Sequence, residues 1–281
     1  MMLGEYRGIP REARLLIILS FVPSMVIGFI YTDLSFFLPK VQGLSNLWMG
    51  ITIGVMAASM VGASIPLGIL ADRYGRRKML ILGNLSASLS LIGFGLTANI
   101  GLVLLVAVME GIGEAAFAVS ASALLADKAG NEKRTVAFSL QAVVGWVAGA
   151  LGGFAVSSVL LLQSFGLNVA EAHVALYVLV GLLGLSVTPF VLKIHDTEYS
   201  GGKTRRRGIL HRKSGRVLLR FSVYSVAIAL GAGLFVPLMT NWFYHAYGVT
   251  DAISGPVLGF SSLLTAVAVF IAPRLAMKLA W

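Results

Sequence analysis

Long apolar stretches alternate with short polar ones along the whole chain, and polar residues gather in the connections between them. Eight apolar runs stand out, at residues 15–38, 47–71, 79–97, 100–126, 136–163, 169–192, 217–244 and 253–272. Each is near or above the roughly 20 residues that a helix needs to cross the hydrocarbon of a bilayer. The pattern therefore predicts an all-α polytopic membrane protein with eight spans, numbered 1 to 8 in chain order. The longer runs imply tilt or extension past the membrane surface.

The connections carry charge in alternation. Arg7, Arg11 and Arg14 precede span 1, and Arg73, Arg76, Arg77 and Lys78 join spans 2 and 3. Lys128, Lys133 and Arg134 join spans 4 and 5. Lys193, Lys203, Arg205, Arg206, Arg207, Arg212, Lys213 and Arg216 lie between spans 6 and 7, with Arg220 just inside span 7, and Arg274 and Lys278 follow span 8. The opposite loops hold one basic residue, Lys40. Basic loops stay on the cytoplasmic side, so the N-terminus is expected in the cytoplasm of a multi-pass protein of the cell membrane. A missed or invented span would break this alternation. The connection 194–216 reads as a basic linker between a first unit, 1–193, and a second, 217–281, and its cations suit anionic lipid headgroups.

Composition agrees. Of 281 residues 57% are hydrophobic and 12% charged, with mean hydropathy +0.87, whereas soluble domains carry about 25% charged residues. The net charge of +10 sits in short loops, where it sets topology, and nucleic acid is not an expected partner. The absence of cysteine excludes disulfides and thiol chemistry. The first apolar run is a full span flanked by arginines, so no cleavable signal peptide is expected. His173, His195, His211 and His245 show no spacing for zinc. The glycine-rich segments lie inside spans, and there is no Walker-type lysine motif. No enzyme, cofactor or metal is expected.

One connection is distinctive: Gly68-Ile-Leu-Ala-Asp72-Arg73-Tyr-Gly75-Arg76-Arg77-Lys78. It resembles, at every position, the signature between helices 2 and 3 of the major facilitator superfamily. Span 4, with Gly111-Ile-Gly113-Glu114 and Ala123-Leu-Leu-Ala-Asp127, is similar to the family's helix-4 pattern, although the usual arginine is Ala107 here. Span 5, with Gly145, Gly149, Gly152 and Gly153, resembles the helix-5 signature of proton-driven antiporters, with Ala150 in place of the usual proline. Such small residues also let helices pack closely. The resemblance implies a six-helix half-bundle followed by two further spans. It implies a conformational latch made of Gly68, Asp72, Arg73, Gly75, Arg76, Arg77 and Asp127, with Arg76 paired to Asp127. It also implies a central cavity lined by spans 1, 4 and 7. A faint repeat, Leu70-Ala71-Asp72-Arg73 against Leu275-Ala276-Met277-Lys278, fits two halves related by parallel repetition. The chain is expected to be a C-terminally incomplete transporter, with spans 7 and 8 an orphaned pair and span 7 packed mainly beside span 8 and the inner face of the first unit.

Few charges fall inside spans: Asp33 in span 1, in the outer third, and Glu110 and Glu114 in span 4. Glu171 and His173 lie near the outer end of span 6. Charges at bilayer depth are costly and usually face a cavity. Span 7 adds Thr240, Asn241, Trp242 and Tyr244. Glu110 and Glu114 share a helix face, about 15 Å deep for Glu110 at about 1.5 Å per residue. Two adjacent carboxylates in low dielectric do not easily both ionise. The expected function is secondary active transport of a small solute by alternating access, coupled to a proton held by Glu110, Glu114 or Asp33, with efflux favoured. The alternatives are a sugar or metabolite symporter, disfavoured because residues 192–198 lack the sugar-porter motif, and a non-transporting membrane scaffold.

Overall fold

The computed structural model describes residues 8–194, 233 and 235–279, with side chains as far as residue 271. The basic linker at 195–216, the first part of span 7, Arg7, and the side chains of Arg274 and Lys278 lie outside the described residues. Six described helices are long and apolar enough to cross a membrane.

Proline and glycine set most of the breaks. Span 1 covers Arg11–Val41 as two helices, Arg11–Leu19 and Phe21–Phe36, followed by a π-helical turn, Phe37–Val41. Pro23 has no N–H to give the Leu19 carbonyl, and the helix breaks at Ser20. Span 2, Asn46–Tyr74, starts on Ser45, whose hydroxyl accepts from the Trp48 N–H. It stops at Gly75, where φ is 105°, a conformation open to glycine and rarely to other residues. Span 3, Arg76–Leu96, starts at the next residue.

Spans 4 and 5 form one helical stretch, Ile100–Ala155, of 56 residues. Unbroken, it would be about 84 Å long at about 1.5 Å per residue, far more than a bilayer. The bend is at Gly130, with φ 67° and ψ 174°. The expected loop over residues 127–135 is thus a single-glycine reversal. Arg134 donates back to the Ala126 carbonyl at 3.3 Å, satisfying the end of span 4. Span 5 also ends earlier than the apolar run suggests, at Ala155, and a short helix Ser158–Ser164 follows.

Span 6 is Val169–Ser186, opened by a capping box in which Asn168 and Glu171 satisfy each other's backbone N–H groups. That assigns Glu171 a structural place. Pro189 divides the end into a separate turn, Thr188–Val191. The described end of span 7 is a 3₁₀ turn, Val236–Leu238, then Met239–Tyr247, closed by Gly248 with φ 69°. Span 8 runs Asp251–Leu279, starting two residues before its apolar run.

Glycines let the spans approach. A methyl added to Gly28 of span 1 would run into the backbone of Gly149 of span 5, and one at Gly152 would meet Met25 and Phe29. Gly113 and Gly83 serve spans 4 and 3 in the same way, and Gly111 sits against Met56 of span 2. A Cβ on Gly255 of span 8 would stand 2.8 Å from the Gly153 carbonyl oxygen. Among the described residues span 8 packs chiefly on span 5, and the part of span 7 that precedes residue 233 lies outside them. The cause is the match of small residues, Gly153 against Gly255 and Gly259, which brings the backbones together. The end of span 7 rests on span 1 as well as on span 8. Span 2 is the least covered, exposing Val61, Ile65 and Ile69.

Candidate functional site

Three polar clusters occupy three depths. At the basic end, the reversal at Gly75 places Arg76 at the start of span 3, beside the end of span 4. Arg76 Nη2 lies 2.8 Å from Asp72 Oδ1, and its Nη1 donates to Asp127 Oδ2. The same Nη1 reaches the Ala123 carbonyl at 3.4 Å. Arg77 donates to the carbonyls of Leu192 and Ile194 at 3.3 and 3.1 Å, tying the 2–3 connection to the end of span 6. Lys128 pairs with Glu12 at 2.6 Å. Arg73 lies over the Tyr74 ring at 5.6 Å. Gly68 meets Val119 of span 4 closely enough that an added Cβ would stand 3.4 Å from it.

At middle depth is a cavity of about 640 Å³. Ser24, Gly28, Tyr31 and Thr32 of span 1 line one side; Ala142, Gly145, Trp146 and Gly149 of span 5 line another. Leu258, Ser261, Ser262 and Thr265 of span 8, with Val236 and Met239, complete the described wall. The wall is apolar with scattered hydroxyls and carries no charge among the described residues. Neither glutamate lines it. Tyr31 joins the two regions: its ring borders the cavity and its hydroxyl donates to Glu114 Oε2 at 3.1 Å. Glu110, one turn away on the same helix, is 1% exposed, and its oxygens have no hydrogen-bond partner among the described residues.

At the end opposite the basic loops, Asp33 is buried completely. Ligand atoms of Asp33, His173 and Asp251 lie within 4.8 Å of one another. His173 Nδ1 donates to the Val169 carbonyl at 2.7 Å, and Nε2 meets Asp251 Oδ2 at 2.7 Å. Phe36 and Phe37 stack against His173, with centroids 6.2 and 5.8 Å away. Asn241, Trp242 and Tyr244 also belong to this end and do not line the cavity. Asn241 donates to Asn46 at 3.3 Å, Trp242 is exposed, and Tyr244 carries Lys40 4.3 Å above its ring. The reason is the direction of span 7, whose last turns, ending at Gly248, lie away from the basic loops.

The structure thus brings Arg76 to Asp127 and Glu114 to Tyr31, and separates Asp33 from the glutamates. Sequence reasoning missed Tyr31, since a lone tyrosine in an apolar run carries no signal of its neighbour 83 residues on. It missed Asp251 because that residue lies just before an apolar run, and it treated His173 as isolated.

Helical spans joined by charged turns, glycine-packed around a mid-depth cavity, define a multi-pass membrane protein. The sequence profile of the Major Facilitator Superfamily matches residues 15–281, and the chain belongs to that family. It is 26% identical over 258 residues to Multidrug resistance protein 2 of Bacillus subtilis, covering 88% of this chain and 62% of that protein. It is 24% identical over 234 residues to Multidrug resistance protein MdtG of Serratia proteamaculans, covering 79% of this chain and 54% of that one. The chain therefore spans somewhat more than half the length of these relatives. Among solved structures, a bacterial homolog of the human lysosomal transporter Spinster, in an inward-facing and occupied conformation, aligns with TM-score 0.67 and 21% identity, over 95% of this chain and 60% of that chain. Tetrameric PepTSo2 aligns with TM-score 0.56 and 16% identity, over 83% and 51%. These two likenesses concern the fold.

Proposed function

We propose that the chain carries out proton-coupled export of a small, largely apolar solute by alternating access, as a whole protein or as part of one. The observation that carries this reading is the cavity at middle depth, uncharged among the described residues and joined through Tyr31 to the buried carboxylate of Glu114. Sites for substrate and coupling ion lie near the midplane in secondary transporters. Its wall suits an amphipathic molecule held by area and a few hydroxyls. Two relatives are named as multidrug resistance proteins, which supports export of such solutes. In this reading the 1–193 unit is the first half-bundle and the N-terminus is cytoplasmic. Glu114 and Glu110 carry the proton, because neutralising a carboxylate lets the bundle rock without dragging a bare charge past apolar walls. The pair Arg76–Asp127, with Gly75 shaping the turn, latches the cytoplasmic ends of spans 2, 3 and 4.

The test uses proteoliposomes holding the protein and loaded with a lipophilic fluorescent cation, under an imposed pH gradient. Dye moving opposite to the proton gradient, and stopping with a protonophore, supports antiport. Dye moving with the protons indicates symport instead. No protein-dependent flux contradicts transport by this chain.

A further inference from the structure

The cluster at the far end plays no part in the transport reading, and its chemistry is that of a ligand set. We propose that Asp33, His173 and Asp251 bind one divalent transition-metal ion, zinc by the character of the donors, which joins spans 1, 6 and 8. All three residues are buried: Asp33 is 0%, His173 1% and Asp251 2% exposed. The Tyr177 hydroxyl and the Asp251 carboxyl stand beside Asp33, but neither carboxylate oxygen of Asp33, nor the Tyr177 hydroxyl, has a hydrogen-bond partner of good geometry among the described residues. Two buried carboxylates with one unsatisfied are expensive unless a cation is shared between them.

The histidine is set up as a ligand. Its Nδ1 donates to the Val169 carbonyl at 2.7 Å, which fixes the proton there and turns Nε2 toward the acids. Metal-binding histidines are held in this way by the hydrogen bond of the other ring nitrogen. Charge favours a dication. With Nε2 protonated, one positive imidazolium faces two carboxylates, leaving one negative charge uncompensated. With the imidazole neutral and a dication in place of that proton, the charges sum to zero. Imidazole with carboxylates is a donor set that zinc takes readily. Ligand atoms on one zinc ion stand about 3.3 Å apart, so closing donors now within 4.8 Å of one another takes side-chain shifts on the order of 1 Å. Phe36, Phe37 and the stacked pair Phe37–Tyr177, at 4.2 Å between centroids, wall the cluster and keep water out. The three ligands come from spans far apart in sequence, so the ion would pin the start of span 8 to spans 1 and 6.

The experiment uses the untagged chain in detergent, stripped with a chelator and desalted. Cobalt(II) chloride is titrated while visible absorption is followed, and zinc uptake is measured by equilibrium dialysis. The expected result is a saturable cobalt band displaced by zinc, and about one zinc per chain. Asp33→Asn, His173→Gln and Asp251→Asn each weaken zinc binding by more than about tenfold. A variant with His195, His211 and His245 all changed to Gln keeps it. Should any variant fail to fold, the parent's spectrum alone still decides. No saturable cobalt band in the parent, or zinc uptake unchanged in all three ligand variants, overturns the proposal.

Discussion

A carboxylate beside a phenol inside a helical bundle is a narrow place for a proton. Glu114 accepts from Tyr31, whose ring borders the cavity, so a solute held there would address the same side chain as the carboxylate. Hydrogen bonds to a charged group contribute about 1.5–3 kcal/mol. Tyr31→Phe is therefore expected to slow gradient-driven dye flux about tenfold or more while leaving the fold intact by circular dichroism. Equal flux would leave Tyr31 a packing residue. At the basic end, Arg76 is about one-fifth exposed and Asp127 about one-third, and water screens the pair. Arg76→Ala and Asp127→Ala should each cost about 1 kcal/mol or less in stability. If the pair is a latch, both should cut transport far more than that loss explains, as thermal unfolding and flux measured together would show. The Arg76 contact was legible because the two residues close adjoining turns of a recognisable motif. The Asp33–His173–Asp251 cluster was not, because its members stand 140 and 78 residues apart and only tertiary packing unites them.

The helices themselves are held by absent side chains. Gly152 lies where a methyl would strike the backbone of span 1, whereas Gly54 of span 2 meets nothing within 4 Å. Gly152→Ala is expected to destabilise by about 1–3 kcal/mol through overpacking, and Gly54→Ala to be neutral or slightly stabilising through helix propensity. Melting in detergent distinguishes them. Gly130→Ala should cost about 1–3 kcal/mol, since φ 67° with ψ 174° belongs to a region that glycine alone occupies readily. Span existence was legible from apolar length. Span ends were not: a single glycine reverses the chain at 130, where charge suggested a loop of several residues. The glycines of span 5 announce close packing, but the sequence does not say that Gly149 and Gly152 face span 1 while Gly153 faces span 8.

For the molecule as a whole, topology follows from one physical demand: backbone polar groups in hydrocarbon must be satisfied within each helix. The loops then need only turn the chain and stay charged. The cavity emerges from packing: spans 1 and 7 line it as the family resemblance implies, and spans 5 and 8 supply the rest of the described wall, where span 4 was expected. If the proton couples through span 4, its glutamates should control the link between the two fluxes. Solute and proton fluxes are recorded together in proteoliposomes for the parent, Glu110→Gln and Glu114→Gln. At least one variant is expected to lose gradient-driven flux while still exchanging solute across the membrane at equal pH. Both variants coupling solute to protons as the parent does would contradict coupling through span 4, and would make the two glutamates structural.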